Sequence, residues 1–352
     1  MALWVCTRKG LFELDSDGDV VAAHFLGIPV TAVCDTPHGT LAALRHGHYG
    51  PKIHLRGPDG WQELTAPSLP REDVPEGEKG RSVDQVWTLE CDGDGIIWAG
   101  TLPAALFRSD DGGATWALCE ALDGREERAE WFGGGFDMPG VHSIIAGQHG
   151  AGSLLLGISC GGVWTSADGG GSWELVGEGQ EATYMPPDRQ SDLNIQDPHR
   201  LAVCTGAPQR VWMQHHCGVF RSDDAGRSWT RLHPPPTAFG FAVAAHPRDP
   251  DTAWLVPAES DENRIPHDGK VIVVRTTDGG ATWTVLKDGL PQEHAYDLCF
   301  RHALDVDATG DRLAFGSTTG NLWITADGGD TWRAASHHLP PIYAVRYQDT
   351  DA

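Results

Sequence analysis

Short apolar runs bounded by Gly, Pro, Asn or Asp recur along the whole chain. Val141-His-Ser-Ile-Ile145, Leu201-Ala-Val-Cys204, Phe241-Ala-Val-Ala244 and Tyr296-Asp-Leu-Cys-Phe300 form one set. Each is followed by a second run: Leu154-Leu-Leu-Gly157, Val211-Trp-Met213, Ala253-Trp-Leu-Val256 and Leu313-Ala-Phe315; Ile96-Ile-Trp-Ala99 is another of this set. Runs this short, with turn residues at both ends, predict strands and not helices.

A stereotyped turn follows each pair. It reads Ser109-Asp-Asp-Gly-Gly-Ala-Thr-Trp116, Ser166-Ala-Asp-Gly-Gly-Gly-Ser-Trp173, Ser222-Asp-Asp-Ala-Gly-Arg-Ser-Trp229, Thr276-Thr-Asp-Gly-Gly-Ala-Thr-Trp283 and Thr325-Ala-Asp-Gly-Gly-Asp-Thr-Trp332. Gly57-Pro-Asp-Gly-Trp61 and Asp15-Ser-Asp-Gly18 are degenerate copies. Gly permits positive φ in a tight hairpin, the Asp carboxylate can accept backbone N–H groups, and the Trp can cover the outer strand pair. Four strands per repeat of this length predict an all-β, seven-bladed β-propeller. The expected blades are 342–347 with 2–25, then 29–65, 85–119, 141–177, 199–233, 240–286 and 296–335, forming one domain over 1–352. Residues 2–25 lack a first strand and 342–347 resemble a lone one, so pairing of the two ends should close the ring.

Composition narrows the function. The 352 residues carry 49 acidic against 26 basic side chains, a formal charge of −23, which disfavours nucleic acid and anionic membrane surfaces as partners. The eight Cys are scattered, with no Cys-x-x-Cys pair, so no disulfide framework or structural zinc site is expected. The first residues lack the shape of a signal peptide and no apolar run approaches ~18 residues, so the expected compartment is the cytoplasm.

The repeated turn is the signature of the Asp-box (BNR) repeat family, which the chain resembles. That family includes sialidases, sortilin-type receptors, xyloglucanase propellers and photosystem assembly factors. Glu130-Trp-Phe-Gly-Gly134, Pro139-Gly-Val-His-Ser143, Asp197-Pro-His-Arg200, Gln214-His-His-Cys-Gly218 and Glu262-Asn-Arg264 are similar to a bacterial group of stand-alone seven-bladed proteins known as exo-α-sialidase or glycosyl hydrolase-like. The resemblance implies glycoside hydrolysis, for which paired carboxylates from Glu130, Asp137, Asp197 and Glu262 are the candidates. The Arg-Ile-Pro letters of sialidases occur only at 264–266, in a late blade.

The long connections 66–85, 120–140, 178–198 and 258–269 fall on the face opposite the repeated turns, and loops of that length commonly carry function. Candidate chemistry gathers there. His142 and His199 start first strands, and His215 and His216 end a second strand. Imidazoles from separate blades around one axis suit a divalent transition metal such as Zn, Fe, Cu or Ni. The expected ligands are His142, His199 and His216, with His215 as the alternative to His216 because strand alternation lets only one of them face inward. His216 is preferred because the resembling group reads Gln-x-His-Cys-Gly there. Glu130 is the candidate ligand or general base and Arg264 the residue that orients substrate. Asn263, Gln214, Trp131 and Asp197 are candidates for substrate contact. The leading expectation is an enzyme, hydrolase first and lyase or oxygenase after it, acting on a small polar or anionic molecule. The alternatives are a glycosidase with paired carboxylates and a non-catalytic scaffold with a small protein partner on the loop face.

Overall fold

A computed structural model describes residues 2–348 apart from 72, 74, 76–79 and 135, so part of the 66–85 connection lies outside the described residues. Seven four-stranded antiparallel sheets make up the architecture. Blade two is built from strands Val30–Thr36, Gly39–Arg45, Pro51–Gly57 and Gly60–Leu64, and blade three from Gln85–Cys91, Ile97–Leu102, Leu106–Ser109 and Ala117–Leu118. Blade four comprises Val141–Ala146, Leu154–Ile158, Gly162–Ser166 and Glu174–Val176; blade five comprises Pro198–Val203, Val211–His215, Gly218–Ser222 and Thr230–Leu232. Blade six holds Gly240–Ala245, Ala253–Pro257, Val273–Thr276 and Thr284–Leu286, and blade seven Leu304–Val306, Leu313–Gly316, Leu322–Thr325 and Arg333–Ser336.

Blade one closes the ring as the ends of the sequence suggest. The strand Ile342–Tyr347 pairs antiparallel with Leu3–Thr7, from Leu3↔Tyr347 to Cys6↔Ala344 and, after a bulge, Thr7↔Ile342, and Gly10–Leu14 and Val20–His24 complete the sheet. One strand departs from expectation. Residues 296–300 do not pair in blade seven, whose first strand is Leu304–Val306. Leu298 and Cys299 are buried all the same, in the connection that leads into the blade. Their hydrophobicity reports burial, which a packed loop supplies as well as a strand does.

The repeated turns join third and fourth strands. In blade four, Asp168 accepts hydrogen bonds from the Ser172 N–H (2.9 Å), the Ser172 hydroxyl (2.7 Å) and the Ser166 hydroxyl (2.8 Å). The equivalent bonds recur around Asp111, Asp224, Asp278 and Asp327. The glycine two residues after each turn Asp (Gly113, Gly170, Gly226, Gly280 and Gly329) has positive φ and presses on the preceding blade. A Cβ at Gly170 would lie 2.9 Å from Cys119 Sγ, and one at Gly226 would lie 2.8 Å from Leu155. The core lies between blades, where Trp98, Trp164, Trp212, Trp254 and Trp323 are fully buried.

Removal of residues 340–352 should strip blade one of its inner strand and break the Arg346–Glu90 ion pair, both of whose bonds measure 2.9 Å. The expected outcome is a fall in melting temperature of more than roughly 5 °C by circular dichroism; a truncated chain that melts like the intact one contradicts closure by terminal pairing. The turn carboxylates give a second expectation. Hydrogen bonds from Thr115 to Asp111, and from Ser172 to Asp168, lower both carboxyls to about 2. A carboxyl with a depressed folded value contributes stability above its unfolded value, and that contribution is lost as pH falls through the folded one. Asp168→Ala should therefore lower the melting temperature by about 2 °C at pH 7, and the difference from the parent should shrink between pH 4 and pH 2. A difference that stays constant with pH removes the carboxylate from the explanation.

Candidate functional site

First strands start, and second strands end, on the face opposite the repeated turns, so residues just before a first strand and just after a second strand meet around one mouth of the channel. Asp197 immediately precedes the first strand of blade five, His199 is that strand's second residue, and His216 follows the second strand. One ligand atom from each of these three lies within 4.8 Å of the others. His199 Nε2 and His216 Nδ1 are each 3.4 Å from Asp197 Oδ2.

The loop before the strand fixes Asp197. Asp192 accepts the Asn194 N–H of a single 3₁₀ turn, and the Gln196 amide donates to the carbonyls of Gln190 and Asp192. The His216 N–H donates to the Asp197 carbonyl (2.9 Å), and the Cys160 N–H donates to Asp197 Oδ1 (3.2 Å). Burial works against the charged form of Asp197, but His199, His216 and Arg301 more than offset it, and its carboxyl is held well below the usual carboxylate range.

His199 is stacked on Phe241, with ring centroids 4.6 Å apart. Its Nδ1 lies 2.7 Å from the Gly240 carbonyl oxygen. A carbonyl can only accept, so Nδ1 carries the proton, and in the neutral ring Nε2 presents a lone pair to Asp197. Burial favours that neutral ring and lowers the His199 pKa, with Asp197 acting in the opposite direction. On His216, Nε2 faces Asp261 Oδ2 at 3.6 Å while Nδ1 faces Asp197. Electron-rich atoms therefore converge beside Asp197 Oδ2. Ligands set tetrahedrally at ~2.1 Å from an ion are ~3.4 Å apart, the separation of both imidazole nitrogens from the carboxylate.

The other expected residues have different surroundings. His142 is not part of this group. Its Nδ1 bonds the Ser143 hydroxyl (3.0 Å) and its ring lies edge-on to Trp87, so packing on blade three sets its direction. Burial, reinforced by Arg301, lowers its pKa well below the ordinary value. His215 points into its own blade, against Phe220, and its ring nitrogens face the N–H groups of Asp197 and Cys217; burial lowers its pKa to about 3. The Gln214 amide is used up on the carbonyls of His215, Gly218 and Ala238. Trp131 donates to Asn194 and anchors its loop. Glu130 is exposed and paired with Arg189 at 2.8 Å, and is not part of the Asp197–His199–His216 group. Asn263 is exposed, its N–H bonded to the Ser260 hydroxyl.

Arg264 does reach the mouth. It pairs with Asp261, and its guanidinium lies 5.5 Å from the Phe241 ring centroid. There it joins a cavity of about 870 Å³ bordered by blades one, two, three, six and seven. Three residues that matter here escaped the sequence reading: Phe241, Trp87 and Arg301. Phe241 lies in a run recognised only as a strand, Trp87 falls in a first strand, and Arg301 directly follows the segment read as the seventh blade's first strand. No short motif marks any of them.

No family model matches the chain. A xyloglucanase from Paenibacillus sp is 25% identical over 285 residues, which cover 74% of this chain and 25% of that protein, so the chain spans about a quarter of that relative's length. Among solved structures, the GH74 xyloglucanase from Xanthomonas campestris superposes with a TM-score of 0.65 at 17% identity, over 95% of this chain and 52% of that one. YCF48 bound to D1 peptide superposes with a TM-score of 0.53 at 13% identity, over 95% of this chain and 84% of that one. At these identities the solved structures share the fold, and the chain is a seven-bladed propeller similar to those of xyloglucanases.

Proposed function

We propose that the protein is a hydrolase-type enzyme working at the loop-face mouth, with a divalent transition metal held by Asp197, His199 and His216. The observation that carries this reading is the convergence of His199 Nε2 and His216 Nδ1, each 3.4 Å from Oδ2 of the buried Asp197. With Nδ1–H given to Gly240, a neutral His199 turns its Nε2 lone pair toward that carboxylate, and a cation between them relieves the repulsion. Two imidazoles and one carboxylate suit Zn, Fe, Cu or Ni, and such an ion would polarise a substrate oxygen or a water.

The chain's own groups supply the rest. The Gly240 carbonyl orients His199, and Asp261 is placed to orient His216. Asp261, in the place expected of Glu130, is the carboxylate at hand to accept a proton at the mouth. Arg264 is paired with Asp261 beside the proposed site.

Glycoside hydrolysis is the second reading, favoured by the likeness to the Paenibacillus xyloglucanase. It needs two carboxylates ~5–10 Å apart across a sugar-sized cleft. Among the described residues, no Asp or Glu lines the mouth cavity.

Elemental analysis after loading with Zn, Fe, Cu or Ni should find about one ion per chain. His199→Ala and Asp197→Ala should lose it while keeping the parent's circular dichroism spectrum, whereas Glu130→Ala should retain it. Failure of all four metals to bind would end the proposal. Turnover of xyloglucan by chelator-treated protein would decide for the second reading.

A further inference from the structure

The mouth cavity carries a charge opposite to that of the molecule. In a chain of net charge −23, its wall presents the guanidiniums of Arg8, Arg45, Arg264 and Arg301. Two of them are neutralised: Arg45 by Asp84 at 2.7 Å and Arg264 by Asp261. Arg8 is exposed on the turn between the second and third strands of blade one and has no ion-pair partner among the described residues.

Arg301 is the unusual one. It is 7% exposed, and its guanidinium carbon lies 5.3 Å from the ring centroids of both Trp87 and Phe241. Its Nε and Nη2 are buried without an acceptor among the described residues. The nearby negative charge, Asp197, accepts the Cys160 N–H and makes no hydrogen bond with Arg301 among the described residues. Leaving buried guanidinium donors unmet is costly, and native structures do so where something else supplies the acceptor. The Nε–Nη2 edge of the guanidinium is thus left without an acceptor among the described residues, and such an edge matches a planar carboxylate held by two parallel hydrogen bonds.

The remaining wall says what the carboxylate is attached to. Ile28, Pro29, Phe136, Phe300 and Tyr343 line the same cavity. Apolar and aromatic walls favour a flat, apolar body, and a volume of about 870 Å³ is in the range of small-molecule sites. We infer that the mouth cavity binds a small organic acid whose carboxylate meets Arg301 and Arg8 and whose flat apolar body packs among these side chains. This deepens the proposed function, since it names the substrate class of the same mouth. It does not depend on the metal, because none of these residues belongs to the Asp197–His199–His216 group.

The test is calorimetric titration of the metal-free protein with benzoate, benzamide and inorganic phosphate. Benzoate should bind, with benzamide weaker by about tenfold or more because it lacks the charge, and phosphate weaker because it lacks the apolar body. Arg301→Gln should abolish benzoate binding. If that variant fails to fold, Arg8→Gln, an exposed change, should weaken benzoate several-fold with an unchanged circular dichroism spectrum. Equal binding of benzoate and benzamide, phosphate binding as well as benzoate does, or benzoate binding unaffected by Arg8→Gln would each overturn the inference. Metal loading of the same preparation separates the two proposals: benzoate failing where zinc still binds overturns this one alone, and the reverse overturns only the metal site.

Discussion

Contact between one blade and the next is what every feature of the mouth depends on. A four-stranded sheet has two faces to cover and cannot cover either by itself, so each blade is stable only against its neighbours. The outer hairpins help to lock this packing. In five of them the glycine two residues after the Asp leaves no room for a side chain, since the space a Cβ would need is filled by an apolar or sulfur atom of the blade before it. The aspartate in the same turn holds the hairpin in the shape that brings the glycine to that place. The residues that position the cluster and the cavity are first-strand starts and second-strand ends, so their mutual distances are set by this packing around the axis.

Much of this was legible in the sequence because it is local. A hairpin whose hydrogen bonds run from Asp168 to its own neighbours Ser166 and Ser172 leaves its trace within eight residues, and five such traces give blade number and register. The misplaced strand shows the limit. Tyr296–Phe300 has the composition of a first strand, but a strand also needs a partner edge, and the neighbouring second strand offers its edge to Leu304–Val306 instead. At the site, strand position brought His199 and His216 to the right end of the channel. It could not set side-chain direction. His142 starts its strand much as His199 does, yet the Trp87 ring of the adjoining blade takes up the space beside it and Ser143 engages its Nδ1. Arg301 carries no pattern at all, since its character comes from two rings that are more than fifty residues away in sequence.

Phe241 joins the two halves of the mouth. His199 stacks on it, while Arg301 and Arg264 both lie within cation–π distance of its ring. A single side chain thus separates the electron-rich point beside Asp197 from the electron-poor wall of the cavity. Opposite charges kept this close without direct pairing make a steep local field, and low-dielectric walls concentrate such a field where water is scarce. The surrounding surface, acidic on balance, would leave this mouth as a point of attraction for anions.

The closure strand has a consequence for what can be joined to the molecule. Ile342 lies beside Thr7 at the mouth, and Tyr347 lies beside Leu3 at the opposite end, where the Gln348 N–H donates to the Ala2 carbonyl at 2.9 Å. Both ends of the described chain therefore emerge together on the hairpin face. Any polypeptide continued from either end, whether a tether, a purification tag or a neighbouring module, sets out from the side away from the cavity. The same adjacency means that a short bridge from 348 back to 2 would make the backbone circular. It could then be reopened at another hairpin, leaving the order of blades around the axis unchanged.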